Sequence, residues 1–299
     1  METLGCTTVI CSDKTGTLTK GEMTVRQIFT GGRLIEVTGA GYTPQGEFRG
    51  SGVINPADSQ PLQLLLQGGL LCNDAILEEK EGKWLIKGDP TEGALVVAAA
   101  KAGLHPRETR LENPRIEEIP FSSDRKRMTT IHETEDGKRV TFMKGAAELV
   151  LERCSRILDA EGTKALTNEE RAKVLKVNEG MAQSALRVLG VAYRELPEGF
   201  AYVEETVETN LVFLGLTGMI DPPREEAIEA TKMCKQVGIK PIMITGDHKL
   251  TAVAIAKEIG IYQEGDMVLT GAELEEMPDR EFEKIVAKVT VYARVSPLD

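Results

Sequence analysis

The sequence predicts an α/β protein in which a doubly wound parallel sheet is interrupted by a large inserted domain. Three observations carry this reading. The apolar run Val9-Ile10-Cys11 ends at once in Ser12-Asp13 and the turn Lys14-Thr15-Gly16-Thr17, a buried strand feeding a tight loop. From Asn210 onward strands and helices alternate, the pattern of crossover connections between parallel strands. Between these parts, residues 26 to about 212 form a long excursion, an inserted domain whose two connections make a hinge.

The elements follow in order. Residues 1–25 read as strand, loop and exit. In the excursion, Gly31-Gly32, Gly39-Ala40-Gly41 and Gly50-Ser51-Gly52 mark early strand-and-turn segments. Helices are expected at 60–74 and 90–103, strands near 127–134 and 139–143, and a helix at 145–154. Another helix is expected from Lys173 to Leu186 and a strand from Val188 to Tyr193. The apolar stretch Leu211 to Ile220 is assigned to the parallel sheet, which sets the second domain boundary at 212/213. Pro222 and Pro223 after Asp221, followed by Arg224, Glu225 and Glu226, mark a helix start over 224–236. Gly238 leads to a strand from Lys240 to Ile244, which ends in Thr245-Gly246-Asp247 before a helix at 249–259. A last strand, Val289 to Ala293, ends at Arg294. The strand ends carrying Asp13, Asp221, Thr245-Gly246-Asp247 and Arg294 are expected to converge on one edge of the sheet, where such folds bind ligands.

Composition narrows the function classes. At 299 residues there is material for two cores, and 41% hydrophobic with 28% charged residues is ordinary for a globular protein. A net charge of −11 with no long Lys/Arg cluster argues against a nucleic-acid surface. The five cysteines (Cys6, Cys11, Cys72, Cys154, Cys234) are scattered and include no CxxC pair, which fits a reducing compartment and neither a disulfide framework nor a zinc knuckle. His105, His132 and His248 lack metal-ligand spacing and read as structural or surface residues. No stretch approaches the roughly 18 to 20 apolar residues needed to cross a bilayer, and the run Ala94 to Ala100 continues a helical pattern.

An Asp at a strand end, followed at once by hydroxyls and a glycine, holds an anionic nucleophile still while backbone N–H groups face an incoming phosphate. The run Asp13-Lys14-Thr15-Gly16-Thr17-Leu18-Thr19 resembles the phosphorylation signature of the P-type ATPases, ion pumps that form an aspartyl-phosphate. Their catalytic domain is haloacid-dehalogenase-like, and phosphatases of that class carry a second Asp two positions after the nucleophile. Here that position is Thr15. A hydroxyl does not readily deprotonate water, so the acyl-phosphate is expected to outlive its formation, which suits a pump.

The resemblance runs from Glu2 to Pro297 with its motifs in order, and it assigns further residues. Lys144-Gly145-Ala146-Ala147-Glu148 resembles a nucleotide-domain motif that carries proline where this chain has Ala147. Phe121 to Met128 resembles the adenine-site segment: Phe121 would stack on the purine and Lys126 approach the triphosphate, with Ser123 where some relatives have arginine. Lys87 to Leu95 is similar to the segment whose acid, Glu92, faces the adenine amino group, and Arg187 matches an arginine near the phosphates. Asp221 is implied to bond ribose or hinge groups and Arg294 to lie near the nucleotide. Thr245, Gly246 and Lys14 are implied to meet the phosphoryl oxygens, with Asp247 in the same triplet; Asp13 and the Thr15 carbonyl are implied to hold Mg²⁺ together with a downstream Asp. No Walker loop exists, and Gly39-Ala40-Gly41 does not complete GxGxxG.

The resemblance therefore implies a haloacid-dehalogenase-like phosphorylation domain, truncated at its C-terminal side (1–25 and 213–299), with an inserted α+β nucleotide-binding domain on an antiparallel sheet (26–212). The expected function is the cytosolic, ATP-binding and autophosphorylated part of a cation pump, most like bacterial calcium-transporting members, with sodium- or proton-type members as rivals. ATP and Mg²⁺ are the implied cofactors. The partners are the membrane and actuator domains of the same pump, the transported cation is not bound here, and the chain alone is expected to bind ATP with little turnover. Two other readings stay open: a soluble haloacid-dehalogenase-type phosphatase, and a nucleotide-binding module without catalysis.

Overall fold

The computed structural model describes residues 7–197, 199 and 201–295, so Cys6 and the segment from Ser296 lie outside the described residues. It separates into two compact units: one takes in the chain up to Glu22, Gln183–Ala185 and everything from Asp221, the other Met23–Ala182 and Leu186–Ile220.

The smaller unit is built on a parallel sheet. Its strand order is Val9–Asp13, Lys240–Thr245, Val289–Ala293, Met267–Thr270, with every pairing parallel. Helices Glu225–Gln236 and Lys249–Ile259 make the crossovers, the second capped by His248, whose ring nitrogen accepts from the Leu250 N–H, and closed by Gly260 at φ +84°. Asp13 pairs with Ile244 and Thr245 with Ala293, so the carboxyl ends of three strands share one edge. That edge carries Asp13, Thr245-Gly246-Asp247 and Arg294, and Arg294 N donates to the Asp247 carbonyl at 3.0 Å.

The larger unit is a mixed α/β body on a predominantly antiparallel sheet. Its main path runs Val53–Ile54, Phe48–Arg49, Arg33–Val37, Thr24–Thr30, Leu211–Ile220, Arg187–Leu196, Arg139–Gly145, Arg127–Glu133, Arg115–Ser122. Helices Gln60–Leu71 and Pro90–Lys101 cover one face, where Leu62, Leu65, Leu66 and Leu70 meet Val191, Val212 and Leu214. Helices Ala147–Glu152 and Asn168–Gln183 cover the other, where Val150, Leu151, Val174 and Met181 meet Phe213, Leu211 and Leu216. Each such fully buried side chain contributes about 1.5 to 3 kcal/mol.

This two-sided burial corrects the expected place of Leu211–Ile220. The strand is apolar throughout because alternate residues face helices on opposite sides, a pattern that otherwise marks a parallel sheet. It pairs antiparallel with Thr24–Thr30 and Arg187–Leu196 inside the large sheet. The divisions accordingly fall after Glu22 and after Ile220 rather than at 25/26 and 212/213. The helix expected from Lys173 begins at Asn168, because the Thr167 hydroxyl accepts from Glu170 N at 3.2 Å and sets the cap earlier.

Candidate functional site

A cavity of about 340 Å³ in the larger unit is lined by Asp89, Thr91, Glu92, Phe121, Lys126, Lys144, Gly145, Arg187 and Leu189. Each wall has a local cause. Asp89 caps helix Pro90–Lys101, its carboxylate accepting from Thr91 N at 2.8 Å and Glu92 N at 3.1 Å, with Pro90 at the first helical position. That cap places Glu92 in the first turn, facing the strand end at Lys144. Lys144 Nζ donates to Glu92 Oε1 at 2.5 Å, and Glu92 Oε2 accepts from Asp74 N at 3.1 Å.

Phe121 lies near the end of strand Arg115–Ser122 and leaves 63% of its surface exposed, which is unusual for a large apolar ring and useful only if something flat covers it. Lys126 closes the next turn at φ +48°, its N–H donating to the Ser122 carbonyl at 2.7 Å. Gly145 is required by close approach: a Cβ there would lie 2.4 Å from the Lys126 carbonyl oxygen and 2.6 Å from Arg127 Cβ. Arg187 opens strand Arg187–Leu196, and Leu189 follows two residues on, on the same side of the pleat.

The fold thus brings Glu92, Phe121, Lys126, Lys144, Gly145 and Arg187, drawn from separate stretches, into one pocket. Three cations, two acids, an open aromatic face and an aliphatic floor can hold a flat heteroaromatic ring joined to a polyanion. Asp89 and Leu189 were not singled out from the sequence. The spacing of two from Arg187 along a strand was the signal for Leu189, and the Asp-Pro helix start was the signal for Asp89.

The smaller unit holds the remaining predicted residues. Asp13 is exposed, and among the described residues its carboxylate makes no hydrogen bond or ion pair. Lys14 is buried and forms an ion pair with Asp247. Gly16 takes φ +75° inside the turn, and Thr19 N closes it on the Lys14 carbonyl at 3.0 Å. Thr15 and Gly246 are exposed at this edge, whereas Thr245 is buried, its hydroxyl accepting from Asp247 N at 3.1 Å. Arg294 is exposed at φ +52°.

Asp221 follows a strand of the other sheet, and its carboxylate turns onto the loop exit. It accepts from Thr19 Oγ1 at 2.6 Å, Gly21 N at 2.9 Å and Glu22 N at 3.2 Å, so its bonds are to chain-connecting groups. Arg224 holds the same loop, donating to the Thr19 carbonyl at 2.9 Å and the Gly16 carbonyl at 3.2 Å. Sequence reasoning read Arg224 only as part of a helix start; a charged side chain directed back to loop carbonyls leaves no periodic signal. Among the described residues no group of three or more His, Cys, Asp or Glu could hold a metal ion, and no helix is long and apolar enough to cross a membrane.

Residues 61–226 match the family model described as P-type ATPase, cytoplasmic domain N. The chain is 43% identical over 298 residues to a calcium-transporting ATPase of Bacillus subtilis, covering 99% of this chain and 34% of that protein. It is 44% identical over 305 residues to the cation-transporting ATPase pma1 of Synechocystis, covering 99% and 33%, and 41% identical over 297 residues to calcium-transporting ATPase 1 of Lactococcus lactis, covering 99% and 32%. The chain spans about a third of the length of the curated relatives it matches.

Proposed function

The chain belongs to the P-type ATPases, and on that premise we propose that its pocket binds ATP and that Asp13 is the carboxylate that becomes phosphorylated. The observation that carries the first half is the convergence of six motif residues on one cavity. Adenine would stack on Phe121 beside Glu92, and the phosphates would meet Lys126, Lys144 and Arg187.

The second half rests on the strand-edge geometry. Asp13 would attack the γ-phosphorus in line, forming an acyl-phosphate as the bond to the β,γ-bridging oxygen breaks and ADP leaves. Lys14, oriented by Asp247, supplies a cation beside the nucleophile, and the exposed Gly246 backbone lies at the same edge. The phosphoryl-transfer core is read as haloacid-dehalogenase-like, because the parallel strands end together at the nucleophile.

Family members use Mg²⁺, and the donors present suit it. Asp13 and the Thr15 carbonyl offer hard oxygen ligands with no thiol or imidazole nearby in the sequence other than Cys11, which lies two residues before Asp13 on the strand. Asp13 and Thr15 would hold the ion, which when bound offsets charge on the phosphate oxygens. The names of the Bacillus and Lactococcus relatives favour calcium as the transported ion of the parent pump, whose membrane and actuator domains are its proposed partners. Family membership speaks against a soluble phosphatase, as does Thr15 at the position of that class's acid and base.

Calorimetric titration of the chain with ATP tests the pocket. We expect saturable binding that Phe121→Ala and Lys144→Ala each weaken; wild-type affinity in both variants would overturn the site.

A further inference from the structure

We infer that Glu208 is a positioning residue for the nucleotide pocket: it fixes the turn that carries Phe121 and Lys126 without touching the ligand. The inference rests on the ATP reading of that pocket.

Glu208 belongs to no motif in the sequence, yet it is fully buried. Its Oε1 accepts from Arg125 Nη1 at 2.9 Å and from Thr129 Oγ1 at 2.7 Å, and its Oε2 from Arg127 Nε at 2.6 Å. Arg127 also donates to Glu204 Oε1 at 2.5 Å, and Arg125 Nη2 to the Pro120 carbonyl at 2.6 Å. One buried carboxylate therefore grips the residues on both sides of Lys126, and through Arg125 it reaches the residue before Phe121.

The gripped turn needs such support. Lys126 sits at φ +48°, a conformation that a non-glycine residue keeps only when its surroundings hold it. Its carbonyl accepts from Ala146 N at 3.0 Å, so the turn also fixes where the Lys144-Gly145 strand end lies. Three pocket residues, Phe121, Lys126 and Gly145, thus depend on a network centred on Glu208. Without the Glu208 charge, the buried Arg127 keeps only the half-exposed Glu204 as a carboxylate partner, and the turn has cause to shift.

The test is a mutant cycle read by ATP calorimetry on the whole chain. Glu208→Gln is expected to weaken ATP binding about tenfold, the scale of one lost charge-assisted hydrogen bond. In the Phe121→Ala background the same change should cost clearly less than the tenfold it costs alone, because part of the Glu208 effect runs through the ring that this turn presents, the rest through Lys126 and Gly145. Val174→Ala, a core truncation on helix Asn168–Gln183, should lower the melting temperature yet leave ATP affinity at the wild-type value. Glu208→Gln binding ATP like wild type, while Phe121→Ala does not, overturns the positioning role alone. Wild-type affinity in Phe121→Ala as well overturns the pocket and the positioning role together. Independent, multiplicative effects in the double variant also overturn it. Should Glu208→Gln not fold, Glu208→Asp and Glu204→Gln take its place: an affinity loss of about threefold supports the role, and unchanged affinity sinks it.

Discussion

Lys144 Nζ donates to Glu92 Oε1 at 2.5 Å, locking the end of strand Arg139–Gly145 to the first turn of helix Pro90–Lys101. Both side chains are largely buried, and both line the pocket. The pair means that the acid read as facing adenine and the cation read as facing phosphate constrain each other. Removing one leaves the other charged and enclosed, so substitutions here act on the partner as well as on the ligand.

Lys144→Ala is expected to weaken ATP binding by ~1 to 3 kcal/mol, the range of one charge-assisted contact. Because the ammonium acts on phosphate, the loss should be larger for ATP than for adenosine. Calorimetry with both ligands checks this, and equal losses would place Lys144 away from the phosphates.

Phe121→Ala should also cost ~1 to 3 kcal/mol of ATP affinity, here through lost stacking, and should reduce adenosine binding by a similar factor. The ring is 63% exposed, so the change in folding stability should stay within about 0.5 kcal/mol. A large fall in unfolding midpoint with intact binding would make Phe121 a core residue instead.

How far the sequence discloses this molecule depends on where a residue's information lies. The strand ends at Asp13, Thr245 and Arg294 were legible because each apolar run stops at a chemically distinct residue, and the parallel pairing then follows from the alternation with helices. The first strand, read as buried, is instead an edge strand that leaves Val9 44% and Ile10 40% exposed. Leu211–Ile220 was legible as a strand and misplaced in its sheet, since burial on both faces looks the same whatever the neighbouring strands' direction. The hairpin Ile76–Lys80 and Lys83–Lys87 escaped notice because its two strands are charged and largely exposed, with the Glu81-Gly82 turn at φ +52° and +73° its only local mark. Glu208 could not be found at all: a lone acid shows no pattern, and its partners Arg125 and Arg127 lie some eighty positions earlier in the chain.

His132 offers a pH test of the larger unit. Its imidazole is buried, with Nδ1 on the Asn113 carbonyl at 3.0 Å and Nε2 on Thr130 Oγ1 at 2.9 Å. Burial pulls its pKa from 6.5 down to about 4. The unfolded chain therefore takes up this proton first, so stability is full above about pH 6.5 and declines as pH falls toward 4. The loss is about 3 kcal/mol. Urea unfolding of wild type and His132→Gln between pH 4 and 7 measures it, with the pH slope shallower in the variant. Parallel slopes would assign the acid sensitivity to other groups.

The last expectation concerns Asp13, tested in a full-length pump that contains this chain. Its carboxylate is exposed and unengaged among the described residues, so Asp13→Asn removes no stabilising bond and keeps the side-chain shape. An amide is a poor nucleophile, so acid-stable, hydroxylamine-sensitive phosphoenzyme should disappear. ATP affinity should stay at the wild-type value, because every pocket residue belongs to the other compact unit. Asp247→Asn provides the intermediate case: Lys14 keeps its place but loses its acidic partner, so labelling should slow while the nucleophile remains. Label still trapped on the Asp13→Asn variant would move the nucleophile elsewhere, and full-rate labelling of Asp247→Asn would show that the Lys14–Asp247 pair serves the fold alone.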